Sequence, residues 1–431
     1  GARRSEEDNL MVLGIIVALI ALSVMVFVHE FFHLIVAKWS KMSAPVFSIG
    51  LGPKLFSFFK WGETEFRISA VPFGGYVEIK GMDPDEMKGG DDEFYSKNIF
   101  LKIGVVFAGP FANFALGFLI FLFVLLFNGI DIIPTISIGK ANSASNLLSG
   151  DKILAIDDKK VFNWYEITEK IEQNSKISLI REGKETEITV DSLVIDSLIP
   201  FIPPVVGNII KDLPAAKAGI EKGDTIVKIQ NKPIKNWEDI TNIIHPAAEE
   251  TLSIVYLSGG DTVKTNIIPD KQKTIEGDSI VNIGIIGIES PSTKMSVGGI
   301  QAISFAWQQS WNTATLIYRT FSWLFQRKLS PKEVSGPIGI VRITQKSLDR
   351  GFISLLMFVA LITINLAIVN LIPIPPLDGF HIIMSLATFT SRRPPSKTLL
   401  KIVQTIGTII ILILMGLIIF NDIIKWIQGR L

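Results

Sequence analysis

The chain has 431 residues, with 42 Lys and Arg against 41 Asp and Glu, 48% hydrophobic residues and no cysteine. A net charge of +1 gives no electrostatic case for nucleic acid, and the missing cysteines exclude disulfides and thiolate metal ligands. A positive mean hydropathy, with the charges gathered between apolar runs, points to an integral membrane protein.

Four runs are long and apolar enough to span a bilayer, at about 10–37, 103–128, 352–372 and 402–420. The polar residues ahead of Met11 are set aside from the fold, and the apolar run that follows lacks a small-residue cleavage site, so it reads as a retained span. Nineteen uncharged residues, Leu10 to Val28, lead straight into His29-Glu30-Phe31-Phe32-His33. On a helix, histidines four apart share one face and both reach a single metal ion, with Glu30 left beside it. A pair of packed helix histidines is the competing account. Its weakness is the location, because polar side chains at the end of a membrane span are costly unless they have a function.

Between the first two spans, short runs at 55–60, 64–71 and 75–80 are separated by Trp61-Gly62-Glu63 and Pro72-Phe73-Gly74, and read as a small β-meander. The second span contains Ala108-Gly109-Pro110-Phe111-Ala112-Asn113. The Gly-Pro pair predicts a kink or local opening, and Asn113 needs a polar partner there. Both features also suit ordinary helix packing.

Next comes an insertion with an internal repeat. Gly150-Asp151, Ile153, Ile156, Lys159, Asn163-Trp164, Ile167-Thr168 and Ile171 recur 73 residues later, from Gly223-Asp224 to Ile244. With Pro214 to Ile220 ahead of it, the second copy looks like a PDZ domain, a module that binds peptides by strand addition. A rigid cap with an empty groove is the alternative. The aromatic segment from Ser296 to Arg327 suits a helix at the membrane interface or one packed on these modules.

The third span carries Asn365 and Asn370 and runs into Pro373-Ile374-Pro375-Pro376-Leu377-Asp378-Gly379, so Asp378 is expected on irregular backbone at membrane depth. With four spans, the ends of the first and third lie on the same side. The short loop before the last span holds Arg392, Arg393, Lys397 and Lys401 and no acidic residue, which assigns that side to the cytoplasm.

His29-Glu30-Phe31-Phe32-His33, Leu377-Asp378-Gly379 and the paired modules together resemble the site-two proteases, over nearly the whole chain from Met11. The resemblance implies Zn2+ held by His29, His33 and Asp378, Glu30 as catalytic base and Asn370 near the substrate. It also implies a membrane-dipping loop at Phe73-Gly74-Gly75-Tyr76; with Asn365, these complete the candidate substrate-binding residues. Phe380 departs from the family, which usually has a second glycine there. The implied activity is intramembrane endopeptidase action on a transmembrane protein substrate of the anti-sigma-factor type, with signal-peptide remnants a second class and membrane lipid as surroundings. The implied location is the bacterial inner membrane; the paired modules, across the membrane from the cut and so in the periplasm, are expected to act as a size filter, with edge-strand peptide binding secondary. A non-catalytic PDZ scaffold and a zinc or proton transporter are the other classes. A scaffold need not keep the four site residues together, and a transporter expects ionisable residues along several spans.

The expected architecture is an α-helical polytopic membrane protein of four transmembrane helices, with a membrane-associated β-meander and an inserted tandem pair of α/β PDZ-like domains. Its parts are 10–128 (first two spans), 129–205 and 206–291 (the two modules), 296–350 (interfacial helix and linker) and 351–431 (last two spans).

Overall fold

The computed structural model describes residues 2–83, 85, 87–141, 146–171, 174–190, 198–276, 279–329, 336–391 and 396–427, without the side chains of 2–11, 72–73, 275–276, 325 and 426. Arg392 and Arg393, and the side chain of Phe73, therefore lie outside the described residues. The chain divides into a helical unit, 1–128 with 297–431, and an inserted unit, 129–296.

In the helical unit, α1 (Ala2–Trp39) leads into β1 (Val46–Trp61), β2 (Thr64–Glu78) and α2 (Ile99–Asn128). Lys38, in the last turn of α1, donates to the Trp61 carbonyl at 3.3 Å and so ties down the hairpin tip. The two long strands are each folded back. Residues 46–49 pair with 75–78 in opposite directions and with 65–68 in ascending register, while 56–61 pair with 64–68. The spatial order is therefore 56–61, 64–68, 46–49, 75–78, and not the consecutive order of a meander. Gly50 (φ 90°) makes the fold-back possible, since a Cβ there would lie 2.7 Å from the Val71 carbonyl. Segment 75–78 ends up on the outside of the sheet, against α1.

α2 stays one helix through Pro110, without the opening expected from the Gly-Pro pair. It packs closely on the third span: a Cβ on Gly117 would meet Ile364 at 2.5 Å.

The inserted unit repeats one plan twice. It begins with β3 (Ile130–Ile132) and β4 (Ile138–Lys140). The first copy has β5 (Lys152–Ile156), β6 (Lys159–Lys160), α3 (Trp164–Lys170), β7 (Ser175–Arg181) and β8 (Lys184–Val190), in sheet order β6-β5-β7-β8. After β9 (Ile199–Pro200), β10 (Asn208–Ile209) and α4 (Pro214–Lys217), the second copy repeats it. β11 (Thr225–Ile229), β12 (Lys232–Pro233), α5 (Trp237–Ile244), β13 (Leu252–Ser258) and β14 (Asp261–Ile267) take the order β12-β11-β13-β14. Equivalent bonds explain the repeated residues. Asp151 and Asp224 each accept a backbone N–H three residues upstream, from Leu148 and Glu221. Asn163 and Asn236 each cap a helix by accepting from the residue three on. Even the register shift recurs, at Ile153/Ala155 and Ile226/Lys228. The unit closes with β15 (Asp270–Glu276), β16 (Ser279–Ile285), β17 (Ile288–Glu289) and β18 (Thr293–Met295).

Back in the helical unit, the aromatic segment and its continuation form two helices, α6 (Gly299–Phe325) and α7 (Pro337–Asp349). α6 packs on two spans: Trp307 meets Phe114 and Phe118 edge-on at 5.8 and 6.4 Å, and Ala306 joins Phe121 and Ile364 in one buried cluster. α8 (Phe352–Asn370) ends at a turn containing Pro373, Pro375 and Pro376, and α9 (Asp378–Ser391) restarts the helix. α10 (Lys397–Ile427) is longer than its apolar run because Lys397 and Lys401 open it and Asp422 lies near its end. Asp422, fully buried, accepts the N–H groups of Gly336 and Gly339 at 3.1 Å each, satisfying the free donors at the start of α7. Among the described residues four helices are long and apolar enough to cross a membrane: Val12–Trp39, Ile99–Asn128, Phe352–Asn370 and Lys397–Lys425.

Candidate metal centre

His29 and His33 leave α1 one turn apart on the face turned toward α2, and both are buried. Asp378 reaches them as the first residue of α9, on helix start rather than irregular backbone; the irregular part is the proline turn before it. Its Oδ2 lies 3.0 Å from His29 Nε2 and 3.4 Å from His33 Nε2, and the two Nε2 atoms are 3.1 Å apart. Gly379 permits this approach, since a Cβ there would meet the Leu371 carbonyl oxygen at 2.2 Å.

α2 orients both rings. His33 Nδ1 donates to the Val105 carbonyl at 2.7 Å, and His29 Nδ1 faces the Asn113 amide at 3.2 Å. The atom facing the ring is Asn113 Nδ2; exchanging it with Oδ1, a buried acceptor without a partner among the described residues, lets Asn113 accept the Nδ1–H. Each Nδ1 proton is then held on the outside, leaving the Nε2 lone pairs to face inward. Gly109 supplies the room: a Cβ there would stand 2.2 Å from His33 Nε2 and 2.7 Å from His29 Cε1.

Two imidazole lone pairs and a carboxylate oxygen thus converge, and Asp378 Oδ2 is buried with no hydrogen-bond donor among the described residues. Three acceptors within 4.8 Å of one another repel unless a cation lies between them. Two nitrogens and one carboxylate oxygen are the donor set of a zinc site with an open position. The residues fit the metal.

Beside the ligands, Glu30 reaches the sheet, where its Oε2 accepts the Val77 N–H at 3.1 Å. Gly75 lies on the same helix face, its missing Cβ 3.1 Å from Val26 Cγ1 and 3.6 Å from Glu30 Cγ. Asn370, at the end of α8, brings its side-chain amide to 3.1 Å from His29 Nε2. Tyr76 points elsewhere, its hydroxyl bonded to Arg67, and Gly74 packs on Leu51. Asn365 sits half-buried in α8 with no hydrogen bond to the cluster among the described residues. His381 follows Asp378 by one turn, packed on Phe94 and Phe380, and burial pushes its pKa down to about 4. It is outside the ligand group. Sequence reasoning missed the ring-orienting role of Asn113, the space left by Gly109 and the contact of Val77 with Glu30.

The profile of peptidase family M50 matches residues 17–414. The regulator of sigma-E protease RseP of Escherichia coli (strain K12) is 27% identical over 439 residues, covering 94% of this chain and 97% of that protein. The regulator of sigma E protease of Salmonella typhi is 28% identical over 436 residues, with the same coverage of each. Among solved structures, the PDZ domain of an SdrC-like protein from Listeria monocytogenes covers 21% of this chain and 90% of its own, at 22% identity. Its TM-score of 0.18 is too low to carry any argument. The family match begins within α1, ahead of the histidines, and ends within α10, beyond Asp378. It spans both ligand-bearing segments and all that lies between them, and the chain accordingly belongs to peptidase family M50 and is a zinc metalloendopeptidase.

Proposed function

We propose that this enzyme cuts peptide bonds within the transmembrane segment of a membrane-anchored protein, of the anti-sigma-factor type or a remnant signal peptide, in the bacterial inner membrane. The observation that carries the reading is the convergence of His29, His33 and Asp378 inside a unit built from candidate membrane spans. Zinc, when bound, polarises the scissile carbonyl and makes water a nucleophile near neutral pH. His29, His33 and Asp378 hold it. Glu30 takes the proton from the attacking water and passes it to the leaving amine. Asn370, beside His29, donates to the oxygen on which charge develops.

A helical substrate hides its carbonyls in its own hydrogen bonds and must unwind to be cut. The outer edge of 75–78 is where the unwound strand adds; among the described residues no strand lies there, and its Val77 amide already touches Glu30. The ligand-bearing helix ends face the cytoplasm, as Lys397 and Lys401 in the last short loop favour. The two copies in the inserted unit are PDZ-like modules on the periplasmic side, and they exclude substrates that still carry a bulky folded domain. Purified protein incubated with full-length single-span peptides and analysed by mass spectrometry tests the reading. Cleavage inside the apolar segment is expected, lost in Glu30→Gln; cleavage only at soluble flanks refutes it.

A further inference from the structure

The Val77 amide occupies a particular place in the site. Segment 75–78 pairs on one side with 46–49, where Val77 is opposite Phe47. Backbone groups of alternate residues in such a strand point to opposite sides. Because the Val77 N–H goes to Glu30, it points away from 46–49, and Gly75 shares that outward direction by the period of two. The outward groups of Gly75 and Val77 are those an added strand would use. One of them is already taken, and it is taken by Glu30: the bond to Val77 is the only hydrogen bond of that carboxylate among the described residues.

We propose that the Val77 amide is an exchangeable donor that holds Glu30 at rest and passes to a substrate carbonyl when a strand adds at this edge, freeing Glu30 to accept a proton. The inference rests on the strand-addition reading above and makes Val77 a positioning residue. It predicts that the enzyme discriminates against peptides too short to cover the edge, since these leave Glu30 engaged.

The test replaces Val77, in the full-length protein, by its α-hydroxy acid analogue, turning the N–H into an ester oxygen. A Gly75 ester serves as control, and zinc content is measured on both. Two probes are used: a blocked dipeptide, and a peptide long enough to lie along 75–78. The Val77 ester is expected to raise turnover of the dipeptide by roughly tenfold, the worth of one hydrogen bond to a charged group. It should raise KM for the long peptide with kcat unchanged. The Gly75 ester should raise only the long-peptide KM. A raised KM in both esters without any dipeptide gain keeps strand addition and overturns the release of Glu30. An unchanged long-peptide KM in both overturns strand addition and the exchange with it. Val77→Pro removes the same donor by ordinary mutagenesis and must reproduce the dipeptide gain; failure to do so with zinc retained also overturns the proposal.

Discussion

Gly109→Ala is a one-methyl test of how the metal centre is assembled. In an exposed helix, exchanging Gly for Ala stabilises by about 1 kcal/mol, so helix propensity alone predicts no harm. Here the added Cβ would lie 2.2 Å from His33 Nε2 and 2.7 Å from His33 Cε1, whereas ordinary van der Waals contact begins at 3.4 Å. Relief requires a displacement of about 1 Å, against a tolerance near 0.2 Å for metal–ligand distances. His33 cannot simply rotate away, because its Nδ1 is fixed to Val105 O on the same helix that carries the new methyl. One ligand is therefore lost to the metal, and a misplacement of this size costs about 10²-fold in rate. The assay is zinc per polypeptide by elemental analysis, beside cleavage of a single-span peptide. Gly104→Ala is the control, in the same helix but with its nearest neighbour, Val36, at 4.0 Å. Full zinc and wild-type cleavage in Gly109→Ala would refute the account of α2 as the wall of the centre.

Asp378→Leu should purify with little zinc while its helices keep their circular dichroism; full zinc would remove Asp378 from the ligand set. Glu30→Gln should keep both fold and zinc and lose cleavage, and retained activity would exclude Glu30 as the base. Asn113→Ala should weaken zinc 10–100-fold in chelator competition, as loss of a ring-orienting partner does, while affinity equal to wild type would make Asn113 a packing residue only. In the inserted unit, burial raises the Asp151 pKa but its paired bonds from Arg181 Nε and Nη2, at 2.9 and 2.7 Å, bring it below the ordinary value. A depressed folded-state pKa contributes stability above the unfolded value near 4, and that contribution disappears as pH falls through the folded value. Arg181→Ala should then lower the melting temperature at pH 7 more than at pH 3; equal losses at both would contradict the assignment.

The chemistry of the centre was legible because His29, His33 and Asp378 announce themselves by type, spacing and position in apolar surroundings. Gly109 and Asn113 stood out only as part of a Gly-Pro kink and as an amide in need of a partner, since glycine, proline and an occasional amide are ordinary in membrane helices. Their roles exist only through the packing of α2 on α1, which no local pattern encodes. The repeat in the inserted unit was visible because its caps and turns are local, each closed within a few residues. The sheet beside α1 was misordered for the opposite reason. The pairing of 46–49 with both 65–68 and 75–78 is long-range, and short alternating runs fix a strand's faces but not its neighbours. The proline turn read correctly as a break after the third span, yet placed Asp378 one step too early, before the helix it starts.

The bond between Asp422 and the start of α7 bears on how the protein is made. Gly339 leaves the ribosome 83 residues ahead of the carboxylate that will satisfy its N–H. In that interval the opening turn of α7 has donors and no acceptor, so it must stay hydrated or borrow a temporary partner. A chain that ends before residue 422 carries every metal ligand and the apolar part of its last span, but not the group that locks α7. Chains clipped there are expected to carry a frayed α7, because the donors at its start have lost their acceptor.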